Sequence, residues 1–221
     1  MNNIDQLRQL MTLDANINTT GIEERFEKIA KMLFESFAIQ KGEKKYLFKE
    51  IEFYFYNKNH RDIITHPRES KSLCWYVNDF GGIGLNFASS IKRENRVNSK
   101  RKNIEKYVLD DSAYFGGILI RQLISEDGSA ILSGPIACAE LFISYDATGS
   151  NMKDDLPILV ECDNGNAENI ITKSRVNILR PNQIAEKKVD NILYAYSKYP
   201  EKEKLYKDFC GFIEKPYGYL R

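Results

Sequence analysis

The chain has 221 residues, of which 43% are hydrophobic and 29% are charged. These proportions are ordinary for a globular protein and exclude bulk disorder and fibrous repeats. The formal net charge of +1 argues against a protein that its overall charge holds to nucleic acid or anionic lipid, but it is compatible with a local basic groove.

Four cysteines are spread along the chain without a CxxC pair. The sequence therefore offers no zinc or iron–sulfur motif, and we predict no cofactor. Cysteines this sparse favour reduced, mostly buried thiols and a cytoplasmic location. The first residues lack a basic segment followed by an apolar run, and no stretch approaches the roughly 18 apolar residues of a membrane span. We expect no signal peptide and no membrane partner.

The first third of the chain predicts two helices. Apolar residues at helical spacing in residues 4–11 predict a short amphipathic helix within an N-terminal extension over residues 1–21. The sequence Thr-Gly-Ile-Glu at residues 20–23 is typical of a capping box that starts a second helix. Apolar side chains recur on one face of this helix as far as Phe37, and Gly42 is predicted to end it.

The hydrophobic period changes to two over residues 50–56, which predicts a strand. One face of this strand is apolar, and the other carries Glu52 and Tyr54 among further carboxylates and tyrosines. A carboxylate held among aromatic rings loses water, so its pKa rises toward that of a general base. Glu52 is therefore a candidate catalytic residue, although a solvated strand face is the commoner meaning of such a pattern.

The next segments are a polar stretch, a short strand and a glycine-rich turn. Residues 57–72 contain both histidines, including His66, and a strand is predicted at residues 73–79. The glycines at residues 80–84 predict a tight turn or a close backbone approach. The basic run that follows, over residues 92–106, is interpreted as an exposed loop.

A strand at residues 116–124 is apolar on both faces and is predicted to be buried. Arg121 interrupts it on the face that also carries Leu119 and Leu123. A guanidinium among aliphatic side chains must find a carboxylate, carbonyl groups or a phosphate. A structural salt bridge and a ligand contact both fit this position. The remaining predicted elements are strands at 156–162 and 175–179, a helical segment at 183–209 that is interrupted near Pro200, and a strand in the aromatic tail.

These elements favour one α+β domain over residues 1–221. Strands and helices do not alternate regularly, and no linker divides the chain, so we predict a mostly antiparallel, curved and barrel-like sheet flanked by helices. The sequence has no GxSxG, HExxH, EF-hand or P-loop spacing, which excludes the recognisable forms of those sites.

In chain order, these motifs resemble the alkyladenine (3-methyladenine) DNA glycosylase family, whose members excise damaged bases. The resemblance covers about residues 26–213, with a basic insertion loop at residues 88–112. The similar motifs are Glu-Phe-Tyr at 52–54, His66, the tyrosine-containing strand that ends in Leu-Asn at 85–86, Ile-Leu-Ile-Arg at 118–121, Gly-Pro at 134–135 and Ser-Arg-Val-Asn-Ile at 174–178.

The resemblance implies a glycosylase-like fold and hydrolysis of the N-glycosidic bond of a modified purine without a cofactor. Glu52 would activate water, and Arg121 would lie near that water or a backbone phosphate. The implied base-binding residues are Tyr54, His66, Tyr76, Asn78 and Asn86. The implied wedge in the duplex is Phe80 or Ile83. The basic run has no counterpart in the family, but its positive charge makes Lys92, Arg93, Arg96, Lys100, Arg101 and Lys102 candidate nucleic-acid contacts.

Two other functions remain open. A non-catalytic protein with the same fold would bind nucleic acid or a small ligand through the basic run and surface aromatic side chains. A small-molecule-binding or protein-interaction protein fits the near-neutral charge and the replacement of a pocket tyrosine of the family by Asn78. DNA is the candidate partner in the first two of the three functions.

Overall fold

The structure is a computed structural model that describes residues 2–78, 81–97, 103–143, 156–167 and 169–221. The helices are α1 (Asn3–Leu10), α2 (Thr19–Ser36), α3 (Pro135–Ile143), α4 (Ala185–Leu193) and α5 (Lys202–Ile213). The strands are β1 (Phe37–Lys41), β2 (Lys44–Asn57), β3 (His60–Arg61), β4 (Trp75–Val77), β5 (Ile83–Asn86), β6 (Lys92–Val97), β7 (Asn103–Val108), β8 (Phe115–Ser125), β9 (Ile131–Ser133), β10 (Ile158–Glu161), β11 (Ile171–Lys173), β12 (Tyr196–Lys198) and β13 (Gly218–Leu220).

A curled antiparallel sheet with the shape of a half-barrel forms the centre of the molecule. Its strands follow the order β10-β1-β2-β8-β5-β4, and β3, β9, β11 and β13 pair beside this path. A second sheet of three strands, β12-β7-β6, includes the parallel pair β12 and β7. The predicted α+β class and the curved, mostly antiparallel sheet are confirmed.

Both edges of strand β2 are paired. One edge pairs with β8 over most of its length. The other pairs with β1 near its start and with β13 and β3 near its end. Glu52 thus lies between Leu119 of β8 and Gly218 of β13.

Two hydrophobic clusters pack against this sheet. The first cluster joins buried side chains of α1, α2 and α3 to the sheet and includes Phe26, whose ring stacks on Phe53 with centroids 4.4 Å apart. The second cluster joins α4 and α5 to the end of β2 and includes Tyr56 and Phe209. Phe53 and Tyr56 lie on opposite faces of β2, so alternation along this strand assigns its side chains to different clusters.

Strand β8 changes face at a bulge. Its pairing with β2 is irregular between Leu123 and Ile120, and both of these side chains are buried in the first cluster although they are three residues apart. Arg121 lies at this irregularity and faces the carboxylates of β2 instead. The prediction that Arg121 shares a face with Leu123 is wrong, because a bulge interrupts strict alternation.

The limits of α2 differ from the prediction. The N-cap is Asn18, whose Oδ1 accepts a hydrogen bond from the Gly21 amide at 2.8 Å, so the capping box at residues 20–23 is wrong. The helix ends at Ser36, because Phe37 takes up extended backbone and starts β1. Gly42, with φ +57°, forms the turn between β1 and β2 rather than the end of the helix.

The basic insertion at residues 88–112 is a hairpin rather than a loop. Strands β6 and β7 pair in antiparallel register across the described part of the segment. Opposite charges face each other across this pair, as in Arg93 and Glu105, so a charged segment can form regular strands. The predicted helical segment at 183–209 forms α4 and α5, and the predicted interruption near Pro200 lies between them, where β12 also forms.

None of the helices in the described ranges combines the length and the apolar character that a membrane span requires. All four cysteines are free thiols. Cys138 is buried and Cys74 is exposed, so the prediction of mostly buried thiols fits only part of the set.

Candidate functional site

A cavity of about 570 Å³ lies against the face of the sheet that carries Tyr54 and Leu119. The start of α3, one face of α4 and the segment at residues 176–181 form further walls. Its volume falls within the roughly 300–1,000 Å³ of small-molecule sites. It is the candidate functional site.

Glycines shape the wall that β5 contributes. A Cβ at Gly84 would overlap the backbone carbonyl of Ile118 on the neighbouring strand, so only glycine allows this close approach. Gly81 has φ +81° in the turn before the strand. Asn78 closes this turn, because its Oδ1 accepts a hydrogen bond from the Gly82 amide at 2.8 Å. The predicted tight turn and close backbone approach are confirmed.

Glu52 has no exposed surface and lies directly behind the cavity wall. Its Oε1 accepts a hydrogen bond from the Val176 amide at 2.6 Å, and its Oε2 accepts one from the Tyr54 hydroxyl at 2.8 Å. The Arg121 Nη1 atom lies 3.6 Å from Oε2. Tyr54, Arg121 and Val176 all line the cavity. The residues that contact the Glu52 carboxylate are therefore also part of the cavity wall.

Burial raises the pKa of Glu52 above its ordinary value, because a charge without water is unfavourable. The positive charge of Arg121 and the hydrogen bonds from Val176 and Tyr54 act in the opposite direction. Burial is the larger effect, so the pKa remains raised. A carboxylate of this kind is a better proton acceptor than an ordinary surface glutamate.

Arg121 combines both roles that the sequence left open. Its Nε atom lies 3.5 Å from Glu50 Oε1, and its side chain is 15% exposed. It also lines the cavity. Glu50 is shared with Lys173, whose Nζ lies 2.9 Å from the same oxygen. Arg121 is therefore an ion-pair partner of the sheet and also a group that a ligand can reach.

A buried ion pair fixes the segment that carries Val176. The guanidinium of Arg175 makes two hydrogen bonds to the carboxylate of Asp62, at 2.6 and 3.2 Å, and both side chains are fully buried. It also donates to the carbonyl oxygens of Phe53 and Phe212. Two-pronged contacts of this kind restrict orientation. Arg175 thereby positions the amide that holds Glu52.

Three further predicted base-binding residues line the cavity: His66, Tyr76 and Asn78. Arg68 joins them, with its Cζ atom 4.2 Å from the centroid of the Tyr76 ring and its Nη1 donating to the His66 carbonyl at 3.2 Å. Together with Tyr54 they give the cavity an aromatic wall with polar groups at its edge. Such a surface suits a planar, hydrogen-bonding ligand.

Two predicted contacts lie elsewhere. Ile83 is fully buried in the first cluster, so its prediction as a duplex wedge is wrong. Asn86 is 4% exposed and does not line the cavity; its Nδ2 donates to Ser70 Oγ at 2.9 Å. Both residues belong to β5, which lies between β4 and β8. Gly84 is the residue of this strand that lines the cavity.

The predicted basic contacts on β6 face acids. Lys92 Nζ lies 2.8 Å from Asp110, and Arg93 Nη1 lies 3.0 Å from Glu105. Arg96 Nη2 lies 3.8 Å from Glu94, a carboxylate that Lys198 also contacts. These pairs reduce the positive field that a phosphate backbone would meet. Phe80, Lys100, Arg101 and Lys102 lie outside the described residues.

Sequence reasoning missed two cations of the cavity, Arg180 and Lys188. The available signal was the spacing of Lys188 and Ile192, which places both on one face of α4, and both line the cavity. The residues found to line the cavity include no aspartate or glutamate. In the part of the chain that the structure covers, no three His, Cys, Asp or Glu side chains come together as a metal site would require.

Comparisons of the chain with protein-family models, curated proteins and solved structures found no match. The resemblance to alkyladenine DNA glycosylases therefore stays a prediction from the residues quoted for it.

Proposed function

We propose that this protein hydrolyses the N-glycosidic bond of a modified purine, with Glu52 activating the attacking water. The observation that carries the proposal is a fully buried carboxylate whose partners Tyr54, Arg121 and Val176 all line one cavity. The proposal includes a likeness of the half-barrel sheet to the glycosylase fold, with DNA or a free nucleotide as the source of the purine.

The chemistry needs one proton acceptor and a place for the base. Glu52 takes a proton from water as the water oxygen bonds to the sugar carbon. The bond from that carbon to the purine nitrogen breaks, and its electron pair leaves with the base. A positioned carboxylate contributes about 10²–10⁴-fold to such a step. Arg121 holds the carboxylate in place and keeps part of it ionised.

The aromatic wall receives the base. Tyr54 and Tyr76 contribute aromatic rings to the cavity lining, and a guanidinium lies over one face of each ring, that of Arg175 and that of Arg68 respectively. His66 and Asn78 contribute hydrogen-bonding groups to the same lining. Extruding a base from a duplex costs a few kcal/mol, and stacking on rings offsets part of this cost. The residue types therefore suit a purine that has left its stack.

The substitution Glu52→Gln tests the chemistry. It keeps the size of the side chain but removes the proton acceptor, so we expect release of bases from methylated DNA or from a methylated purine mononucleotide to fall by about 10²-fold or more. The measurement is chromatographic detection of free purines. Glu105→Gln is the matched control, because Glu105 is a carboxylate of β7 that pairs with Arg93 on the hairpin, and this variant should keep full activity. Equal release by wild type and Glu52→Gln, or no release by wild type, would refute the proposal.

A ligand-binding protein without catalysis is the second candidate. It is favoured by one observation: both Glu52 oxygens already accept hydrogen bonds, and the side chain has no exposed surface. Such a carboxylate also serves a purely structural role in the sheet. Binding of a purine ligand by wild type and Glu52→Gln alike, without bond cleavage in either, would establish this function.

A further inference from the structure

The cavity carries an excess of positive charge that the proposed hydrolysis does not use. Among the described residues, the cations that line it are Arg68, Arg121, Arg180 and Lys188, and no carboxylate of these residues lines it. Arg121 is compensated by Glu50 and Glu52. The other three have no acidic partner within ion-pair distance among the described residues.

Arg180 and Lys188 form a pair of like charges at one side of the cavity. Lys188 is half-buried, and burial and the nearby charge of Arg180 both lower its pKa. Two cations held near each other repel, and an anion placed between them relieves that repulsion. Guanidinium and ammonium groups are the usual protein ligands of phosphate oxygens.

Arg68 adds a third unneutralised charge. Its guanidinium lies over the ring of Tyr76, and its Nε atom is buried without a hydrogen-bond partner in the described structure. Burial lowers the pKa of Arg68 to about 10, so it remains charged at neutral pH. The part of the cavity wall formed by Tyr76, which would contact the base of a ligand, therefore also carries positive charge.

The described part of the hairpin shows the opposite arrangement. The cations of β6 are paired with acids on the hairpin and beside it, and Ile83 is buried in the core. Positive field that is confined to a cavity attracts small anions more than an extended backbone, because field lines are focused between low-dielectric walls. The distribution of charge therefore favours a ligand that fits inside.

We propose that the cavity binds a free purine nucleoside monophosphate, with its phosphate held by Arg180 and Lys188 and its base against Tyr54 and Tyr76. The identity of the base rests on the proposed function, whereas the anionic group rests on the charges alone. The substrate class is thereby a mononucleotide rather than duplex DNA.

Calorimetric titration of wild-type protein tests this proposal. We expect adenosine 5′-monophosphate to bind about tenfold tighter than adenosine or more, a difference of about 1.4 kcal/mol. The double variant Arg180→Gln/Lys188→Gln should abolish this preference and leave adenosine binding unchanged. The matched control Lys92→Gln/Arg93→Gln removes the same charge from the hairpin and should keep the preference.

The other outcomes overturn the inference. Equal affinity for nucleotide and nucleoside would contradict the phosphate site. An equal loss of the preference in the control variant would contradict it as well. If inorganic phosphate binds as tightly as the nucleotide, the purine does not contribute to binding and the proposed ligand is wrong. If a short DNA duplex binds more tightly than the nucleotide, nucleic acid is the ligand instead. A retained preference in a protein that releases no base from any substrate refutes the proposed hydrolysis but supports the binding site.

Discussion

Glu52 is held between opposing effects on its charge. Complete burial disfavours the carboxylate, whereas Arg121, Tyr54 and the Val176 amide favour it. Burial prevails, so the pKa is raised. This is the reverse of the usual glutamate in an ion pair, whose pKa is lowered, and it has a consequence for stability that can be measured.

The free energy of unfolding should respond to pH through Glu52. Its pKa is higher in the folded protein than the ordinary value of about 4.3 in the unfolded chain. Between these two values the folded protein binds more protons, so stability falls as pH rises through that window. Relative to Glu52→Gln, the wild type should therefore lose stability from about pH 4.3 upward. Urea unfolding of both proteins over a series of pH values measures the difference, and a difference that is flat or of opposite sign would contradict it.

Individual residue roles were only partly accessible from the sequence. Alternation predicted that Glu52 and Tyr54 share a face, and the structure shows their hydrogen bond. The position of Val176 at the same carboxylate depends on the ion pair of Arg175 with Asp62, two residues 113 positions apart. No local pattern reports a contact over that distance.

Among the elements, β5 and β8 decide the shape of the cavity. Gly84 allows the two strands to approach, and the bulge at Arg121 directs a cation to the cavity face of β8. Glycine content predicted the first feature. The second was not predictable, because a bulge depends on the partner strand as well as on the strand's own residues.

The substitution Gly84→Ala should destabilise the protein by about 1–3 kcal/mol or more, because the new methyl group meets the backbone of Ile118, which cannot give way as a side chain does. Gly211→Ala is the matched control. Gly211 lies in α5 with open space around it, and alanine there should stabilise the helix by up to about 1 kcal/mol. Urea unfolding measures both, and equal effects of the two substitutions would show that the close approach of β5 to β8 is unimportant.

At the scale of the whole molecule, β2 connects the two hydrophobic clusters. Phe53 belongs to the first and Tyr56 to the second. Loss of either cluster removes the packing from one face of the same strand. The two clusters should therefore unfold together rather than as separate units.

Phe209→Ala tests this coupling. Phe209 is fully buried in the second cluster, and its truncation should lower stability by about 3–5 kcal/mol. Trp75, the one tryptophan of the chain, packs against the first cluster. Its fluorescence should shift to the same lower urea midpoint as the far-ultraviolet circular dichroism. A fluorescence midpoint that stays at the wild-type value would show that the clusters are independent.

The architecture was predictable to the level of its class. Periodicity predicted the α+β composition and several strands, including β2 and β8. The assembly of the cavity was not predictable, since Arg68, Arg180 and Lys188 come from a loop, a turn and a helix far apart in the chain. The ion pairs across the hairpin were also not predictable, because the acidic partner of each basic residue depends on the register of β6 and β7.

The placement of β13 has a consequence for folding. Residues 218–220 close the edge of β2 beside Glu52, so that edge stays open in any intermediate in which β13 has not yet paired. An open strand edge is a template for intermolecular pairing. Such intermediates are therefore expected to be prone to association, and the strand that carries Glu52 is closed on this edge only when β13 is in place.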